Sequence, residues 1–304
     1  MKFNHNLGTK SRIANTLWSF LLSVFIFASL AQRTLISSAG QQNNETARAS
    51  AERVLKQARE ATGKDLKSAG IKGLIVNSRT EVSDPYPEAV IKARPQYRNQ
   101  RNQGTIVEEL GISLPDKMRE KVDASYTTNQ WVSDRILNGN RFMQKSDTFV
   151  GGKPINITVS NPRLKSEKEQ IAEYKESVFL TIFPIILDYS WYLPIEFSYI
   201  GVAEAGGAKA DVIETTLSDG AKYRFFFDQQ TYLLLMMIET RTSKSTNKEI
   251  ERRYFFSDYR KEDGLLVAHK IVTESNKEVT AERELKQLQI NPTFKPDYFA
   301  VKGK

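Results

Sequence analysis

The sequence predicts an α+β fold, mainly antiparallel β, with one helix near the N-terminus and a second helix laid over the sheet as a lid. Three observations predict it. First, four apolar segments, Tyr223 to Phe227, Tyr232 to Thr240, Arg253 to Tyr259 and Leu265 to Glu274, follow one another with short polar connections that leave no place for a helix. Second, Ala47 to Ala61 and Ser166 to Leu187 carry apolar residues at helical spacings of three and four. Third, Tyr232 to Ile238 is apolar on both of its alternating faces, whereas an antiparallel sheet normally turns one face to water, so another element has to cover the second face.

In chain order, Lys2, Lys10 and Arg12 precede an uncharged apolar run from Ile13 to Ala31, the pattern of a secretory signal peptide. The small-x-small rule allows cleavage after Ala31 or after Ala39, and retention of residues 13–31 as a membrane anchor is the alternative. Residues 32–46 read as a polar, disordered linker, and 47–304 as a single domain. Ala51, Val54, Leu55 and Ala58 form the inward stripe of the first helix, and Thr62-Gly63 ends it. A short strand follows at Ile71 to Asn77. Ser78 to Gly104, with Pro85, Pro87 and Pro95, reads as an insertion, a hairpin or a long loop, because prolines are confined to the edges and turns of sheets. Strands resume at Thr105 to Leu110 and Ile112 to Val122, and a hairpin joins Trp131 to Leu137 with Arg141 to Gln144 through Asn138-Gly139.

Ser166 with Glu169 makes a capping box for the second helix, in which Ile171, Tyr174, Val178, Ile182 and Ile185 share one face and Pro184 predicts a kink or an end near Phe183. Tyr199 to Glu204, Asp211 to Leu217 and Val279 to Leu288 complete the sheet, and Asn291-Pro292 closes it. Asn44-Glu45-Thr46 and Asn156-Ile157-Thr158 match the glycosylation sequon, a pattern short enough to arise by chance.

Composition narrows the chemistry. The chain has no cysteine, hence no disulfide framework and no thiol nucleophile. Residues 1–31 carry three basic and no acidic residues, so cleavage there lowers the formal charge from +8 to +5. Export together with so mild a charge argues against nucleic acid as a partner, the basic cluster Lys92, Arg94, Arg98 and Arg101 notwithstanding. Beyond the export segment there is one histidine, His269, set mid-strand between apolar neighbours, where packing is the ordinary role. No metal-ligand cluster, phosphate loop or catalytic triad is spelled out, and Asp228, Asp258 and Asp263 all sit in or beside turns, where Asp is favoured for its backbone hydrogen bonds. The inventory spells out no metal site, no cofactor site and no enzyme chemistry beyond what carboxylates could do. A carboxylate hydrolase is kept as a lesser alternative, which requires a pair of acids brought together by the fold.

What is present is large apolar side chain on both faces of adjacent strands, at Phe225 to Phe227, Leu233 to Ile238 and Tyr254 to Phe256. Two architectures accommodate it: a sheet curved into an incomplete barrel with the Ser166 helix over its cavity, or a sandwich with both faces covered. For a cavity, the candidate lining is Phe225, Leu233, Leu235, Met237 and Phe255 with Val178 and Ile182 from the helix. A one-residue register change would put Leu234 and Met236 in place of Leu233, Leu235 and Met237.

Leu114-Pro115-Asp116-Lys117-Met118-Arg119, the Asn138-Gly139-Asn140-Arg141-Phe142 hairpin, Phe227-Asp228-Gln229-Gln230-Thr231-Tyr232-Leu233, Tyr254 to Arg260, Asp263-Gly264-Leu265 and Ile290-Asn291-Pro292 with Phe299 together resemble the LolA-type lipoprotein carriers and the lipoprotein-sorting proteins of that superfamily. The resemblance implies an unclosed (half) β-barrel whose cavity receives the acyl chains of a lipid or lipoprotein. It also implies a monomeric, non-enzymatic carrier in the periplasm that meets donor and acceptor proteins at the inner and outer membranes. It places Arg119 beside the barrel mouth, as a headgroup or lid contact. Sensors and adaptors share that fold, so the alternative is a chain that binds a protein partner at the sheet edge or through the insertion.

Overall fold

The computed structural model describes residues 44–63, 70–86, 88–127, 129–155, 166–188, 193–242 and 247–301. The export segment with its cleavage positions, linker residues 32–43, Asn156 and the hairpin tip at 243–246 lie outside the described residues. Residues 1–49 form a separate unit, of which the first turns of a helix are described, and the main body begins at Ser50.

Helix α1 spans 44–62. Its start takes in Asn44 and Glu45, which the sequence assigns to the linker; an acidic residue is favourable in the first turn of a helix. The apolar stripe behaves as its spacing predicts, with Ala51, Val54, Leu55 and Ala58 buried in the core. Gly63 ends the helix at φ +69, where a Cβ would come within 2.6 Å of the Gly264 carbonyl oxygen, so the helix end lies directly against a sheet turn.

Among the described residues thirteen strands follow: β1 (Gly73–Pro85), β2 (Arg101–Ser113), β3 (Lys117–Tyr126), β4 (Asn129–Asn138), β5 (Arg141–Val150), β6 (Lys153–Ile155), β7 (Ser198–Ala205), β8 (Ala208–Thr216), β9 (Lys222–Asp228), β10 (Leu234–Thr242), β11 (Glu249–Glu262), β12 (Leu265–Ser275) and β13 (Glu278–Ile290). They form one antiparallel sheet in the order β6-β5-β4-β3-β2-β1-β13-β12-β11-β10-β9-β8-β7, with β6 and β7 as its edges. The sheet is thus unclosed. The late meander stands as predicted, its β11–β12 connection turning on Asp263 (φ 45) and Gly264 (φ 91).

The region 78–104, for which the sequence allows a hairpin or a long loop, forms the far part of the β1–β2 hairpin. Strand β1 continues to Pro85 and β2 already begins at Arg101, leaving helix α2 (Glu88–Ala93) and a 3₁₀ turn (Pro95–Tyr97) as the connection. Pro85 is the last residue of its strand and Pro95 opens the 3₁₀ turn, two positions that tolerate proline. The polar run Arg79-Thr80-Glu81 is a strand whose β13 partners, Glu284, Arg283 and Glu282, are equally polar, and the Glu81 carboxylate accepts from Thr105 of β2 and from Arg79.

Helix α3 (Glu167–Ile186) opens with the predicted capping box, in which the Glu169 amide donates to Ser166 Oγ at 3.3 Å and the Ser166 amide to Glu169 Oε2 at 2.8 Å. It does not stop at Pro184. The missing amide falls within the last turn, and the helix closes at Leu187 in the left-handed region (φ 50), whose N–H reaches the Phe183 carbonyl at 2.7 Å.

One helix therefore sets the curvature. Ser177 receives a hydrogen bond from Arg135 of β4, while Phe179 packs edge-on against Phe225 of β9. In a flat sheet, strands spaced ~4.8 Å apart would hold β4 and β9 almost 40 Å from each other, so the sheet has to curl around α3. The main core fills this concave side, with α1 residues from Ala51 onward and Phe197 beside α3.

On the opposite side the C-terminal segment is clasped to β2–β4. Tyr298 Oη donates to Glu109 Oε1 (2.9 Å), and Asn138 Nδ2 donates to the Phe299 carbonyl (3.1 Å). Gly111 makes the close approach possible, because a Cβ there would lie 2.5 Å from Tyr298 Oη. Gly111→Ala is expected to push Tyr298 off Glu109 and lower stability by about 1–3 kcal/mol, as overpacking does. A denaturant midpoint equal to that of the native protein would show that the clasp contributes nothing.

Candidate functional site

The concave face under α3 is apolar towards one end and polar towards the other. At the apolar end, Phe179 and Phe183 of α3 meet Phe197 and Phe225, with Phe183 and Phe225 ring centroids 4.8 Å apart. Val178 and Ile182 are fully buried beside them. Next to this cluster a narrow cleft separates α3 from the sheet. It is lined by Pro184, Ile185, Val76, Phe256, Val267, Ala268, Ile271 and Leu285, with Thr181, His269 and Arg283 as its polar members. Its free volume is about 20 Å³, room for one water molecule rather than for an acyl chain. Two wider hollows, ≈ 470 Å³ over β1–β3 and ≈ 440 Å³ beside the C-terminal clasp, carry more polar lining, including Glu81, Gln103, Glu109 and Lys121.

The residues expected to line a cavity separate. Phe225, Met237, Val178 and Ile182 belong to the core under α3. Leu235 and Phe255 pack on the other face of the sheet with Phe226 and Met236, and Leu233 precedes β10 in its turn, half-buried. The cause is a bulge: β10 shifts register between Leu234 and Met236, which puts Leu234 and Met237 on the concave side and leaves Leu235 and Met236 on the convex side. Neither simple register foreseen in the sequence applies along the whole strand. The Leu234 carbonyl is taken by Tyr259 Oη at 2.6 Å.

Arg119 also lies away from α3. By alternation it points to the convex face, where its Nε and Nη2 clamp Asp134 at 2.9 and 2.6 Å and its Nη1 donates to the Tyr298 carbonyl at 3.0 Å. Its partners are the neighbouring strand and the C-terminal clasp, not a lid.

The sequence reading missed the polar end of the concave face. Glu108 (β2) pairs with Arg283 (β13) at 3.1 Å, and Glu120 (β3) pairs with Arg135 (β4). Both arginines reach α3: Arg283 donates to Thr181 Oγ1 at 3.2 Å, and Arg135 donates to Ser177 Oγ at 3.3 Å with its guanidinium 5.1 Å from the Tyr174 ring centre. Glu120 is 5% exposed, and burial pushes its carboxyl above the usual range against the pull of Arg135, with Glu108 adding to the rise. Tyr174 is pushed up in turn, by burial and by Glu120. Two acids therefore converge, but each is engaged by an arginine. Another buried acid, Glu239, pairs with Arg241 and accepts from Tyr254 Oη at 2.6 Å.

The other candidate groups have structural partners. His269 is 4% exposed, its Nδ1 3.1 Å from the Leu285 carbonyl and its Nε2 3.1 Å from Glu262. Asp228 Oδ1 accepts from the Gln230 and Thr231 amides and from the Thr231 hydroxyl, and Asp258 pairs with Arg260. Among the described residues no group of three or more His, Asp or Glu could hold a metal ion, and no helix is long and apolar enough to cross a membrane.

No family model and no curated protein matches the chain. Among solved structures it is similar to a domain assigned to outer membrane lipoprotein sorting from Vibrio parahaemolyticus, at 11% identity over 82% of this chain and 97% of that one, with a TM-score of 0.43. It is similar to a DUF1329 family protein from Desulfovibrio piger at 11% identity over 82% and 97%, TM-score 0.42. It is also similar to a LolA superfamily protein from Nitrosomonas europaea at 10% identity over 83% and 97%, TM-score 0.43. At such identities no residue's role carries over from any of them.

Glu120 gives a pH signature. Its carboxyl titrates above the ordinary 4.5 in the folded state, so just above that pH the native protein holds a proton that the unfolded chain has released, and stability falls as pH rises through this window. Glu120→Gln is expected to remove that slope in thermal melts taken at successive pH values. Parallel pH curves for the two proteins would rule it out.

Proposed function

We propose that the protein is a periplasmic, non-enzymatic carrier that holds an acyl chain of a lipid or lipoprotein between α3 and the concave face of the sheet. The observation behind this reading is the cleft beneath Thr181, Pro184 and Ile185, which strands from both halves of the sheet line with apolar side chains. The export-like N-terminus and the sequence resemblance to LolA-type carriers support the same reading. With about 20 Å³ free, the described state is the closed one, and cargo enters only as α3 lifts. Lifting exposes the apolar face of α3; each methylene that replaces it contributes about 0.8 kcal/mol, so a long acyl chain can offset the loss.

A second reading, an adaptor that captures an extended segment of a partner protein, is favoured by one edge of the sheet. Strand β6 is three residues long and carries Lys153 and Pro154, both of which discourage pairing. Strand β7 has neither lysine nor proline and exposes Ile200 and Val202, each at about half of its surface. Addition of a strand there would use backbone hydrogen bonds and leave the cleft unused.

Native mass spectrometry of residues 41–304 purified from a bacterial periplasm, followed by organic extraction, tests the carrier reading directly. A lipid-sized adduct lost on extraction is the expected result; a clean mass with no uptake of a fluorescent fatty-acid probe favours the adaptor. For the site itself, Ala268→Trp should fill the cleft and weaken probe binding by at least about tenfold. Leu235→Glu, on the far face, should leave it within about twofold, near the small effects of sites away from a binding surface. The reverse pattern would place the acyl chain on the convex side.

A further inference from the structure

Resting on the acyl-binding reading, we propose that the cargo is an amphiphile with an anionic oxygen head, a carboxylate or a phosphate ester, and that Arg283 binds this head while the chain runs towards β11 and β12. Three groups give the cleft its polar character, and two of them are committed elsewhere. His269 Nδ1 is engaged with the Leu285 carbonyl at 3.1 Å, and its Nε2, which makes no hydrogen bond among the described residues, lies 3.1 Å from Glu262, a carboxylate that repels an anionic head. The Thr181 hydroxyl accepts from Arg283 at 3.2 Å.

Arg283 differs from both. Its guanidinium is permanently charged and carries five N–H donors in a planar fork. Two are engaged among the described residues, one by Thr181 and one by Glu108 at 3.1 Å. The guanidinium only donates, so its complement is an acceptor, and an anionic oxygen group is the strongest that a fork can take.

The surroundings set the direction of the chain. On one side of Arg283 lies the polar seam, Glu108, Glu120 and Arg135, where a hydrocarbon would strip carboxylates of their partners. On the other side Leu285 and Ile271 lead to Phe256 and Val267, an apolar track crossing from β13 to β11. Head at the seam and tail under Ile185 is the one placement that satisfies both ends. Thr181 and Arg283, the polar groups at the junction, are half-buried, so a head bound there keeps contact with water.

Displacement of uncharged N-phenylnaphthylamine by dodecanoate, dodecyl phosphate and dodecanol tests the assignment. In the native protein the acids should displace the probe at concentrations at least about tenfold lower than dodecanol, the scale of a charge-assisted hydrogen bond. Preference for both acids, or for one of them, supports the proposal, and the one preferred separates a fatty-acid from a phospholipid type of head. Arg283→Met combined with Glu108→Gln, which removes the half-buried pair together and strands neither charge, should bring all three to within about twofold of one another. Arg283→Lys, which keeps the charge without the fork, should retain a reduced preference, with melting curves confirming the fold of each variant. Equal displacement by acids and alcohol in the native protein overturns the Arg283 assignment and leaves the carrier reading standing, as does an acid preference that survives the double substitution. No displacement by any of the three overturns both.

Discussion

The structure depends on one apolar contact, the packing of α3 into the hollow of a sheet that, among the described residues, has no second sheet to cover it. Thirteen strands in a single open layer expose two broad faces, and the concave one can be kept dry only by something narrow enough to lie inside the curve. A single helix meets that requirement, and the curve tightens until strands from both halves of the sheet reach it. Phe179, Phe183, Phe197 and Phe225 form the centre of this contact, and each such ring contributes about 1.5–3 kcal/mol on burial. Helix α1 then seals one end, where Arg59 donates to the Leu187 carbonyl at 3.2 Å just past the end of α3.

Apolar packing is indifferent to rotation about the helix axis, and the polar seam is not. Arg135 on β4 and Arg283 on β13 stand four strands apart in the sheet, each held by a glutamate on the sheet and each pointing one donor at a hydroxyl of α3. Ser177 and Thr181 are four residues apart, hence on one face of the helix, so the two contacts fix both its rotation and its register along the axis. The cost is that buried charges must stay paired. Glu108 Oε1 and the Tyr174 hydroxyl already lack partners among the described residues. The same seam that positions the helix is therefore the least settled part of the interior.

How much of this was legible in the sequence differs by element. The late meander, the first helix stripe and the capping box of α3 are local patterns, and they stand where spacing puts them. Strand β1 was cut short because Arg79, Thr80 and Glu81 look like loop, and only their cross-strand partners, distant in the chain, make them strand. The two-faced apolar pattern of β10 reads as a sign of double coverage, but on the convex side Leu235 and Met236 pack with Phe226, Phe255 and other side chains of neighbouring strands rather than under a second layer. Its facing could not be read, because the bulge at Leu235 changes the alternation midway and leaves no mark in residue type. The polar seam did leave a mark: in Glu108-Glu109-Leu110 one of two adjacent acids must share the face of Leu110 or lie next to it, so alternation alone puts a glutamate inside. Arg119 was misplaced for the opposite reason, since a motif conveys position along the chain but not which face a side chain takes.

The strand order also carries a consequence for assembly. Among the described residues, strands β1 to β6 and β7 to β13 are two meanders in which every pairing joins neighbours in the chain, and the only pairing between them is β1 with β13, where Leu74 lies opposite Ile290. Hairpins close quickly, whereas a contact between the two ends of a domain has to wait for most of the loop entropy to be lost. Each half-sheet can therefore form by itself as the chain emerges, with one face bare, and becomes part of a common interior only when the last strand docks. Until then α1, which precedes the first half, and α3, which lies between the halves in sequence, are the helices among the described residues that can shelter them from other sticky surfaces.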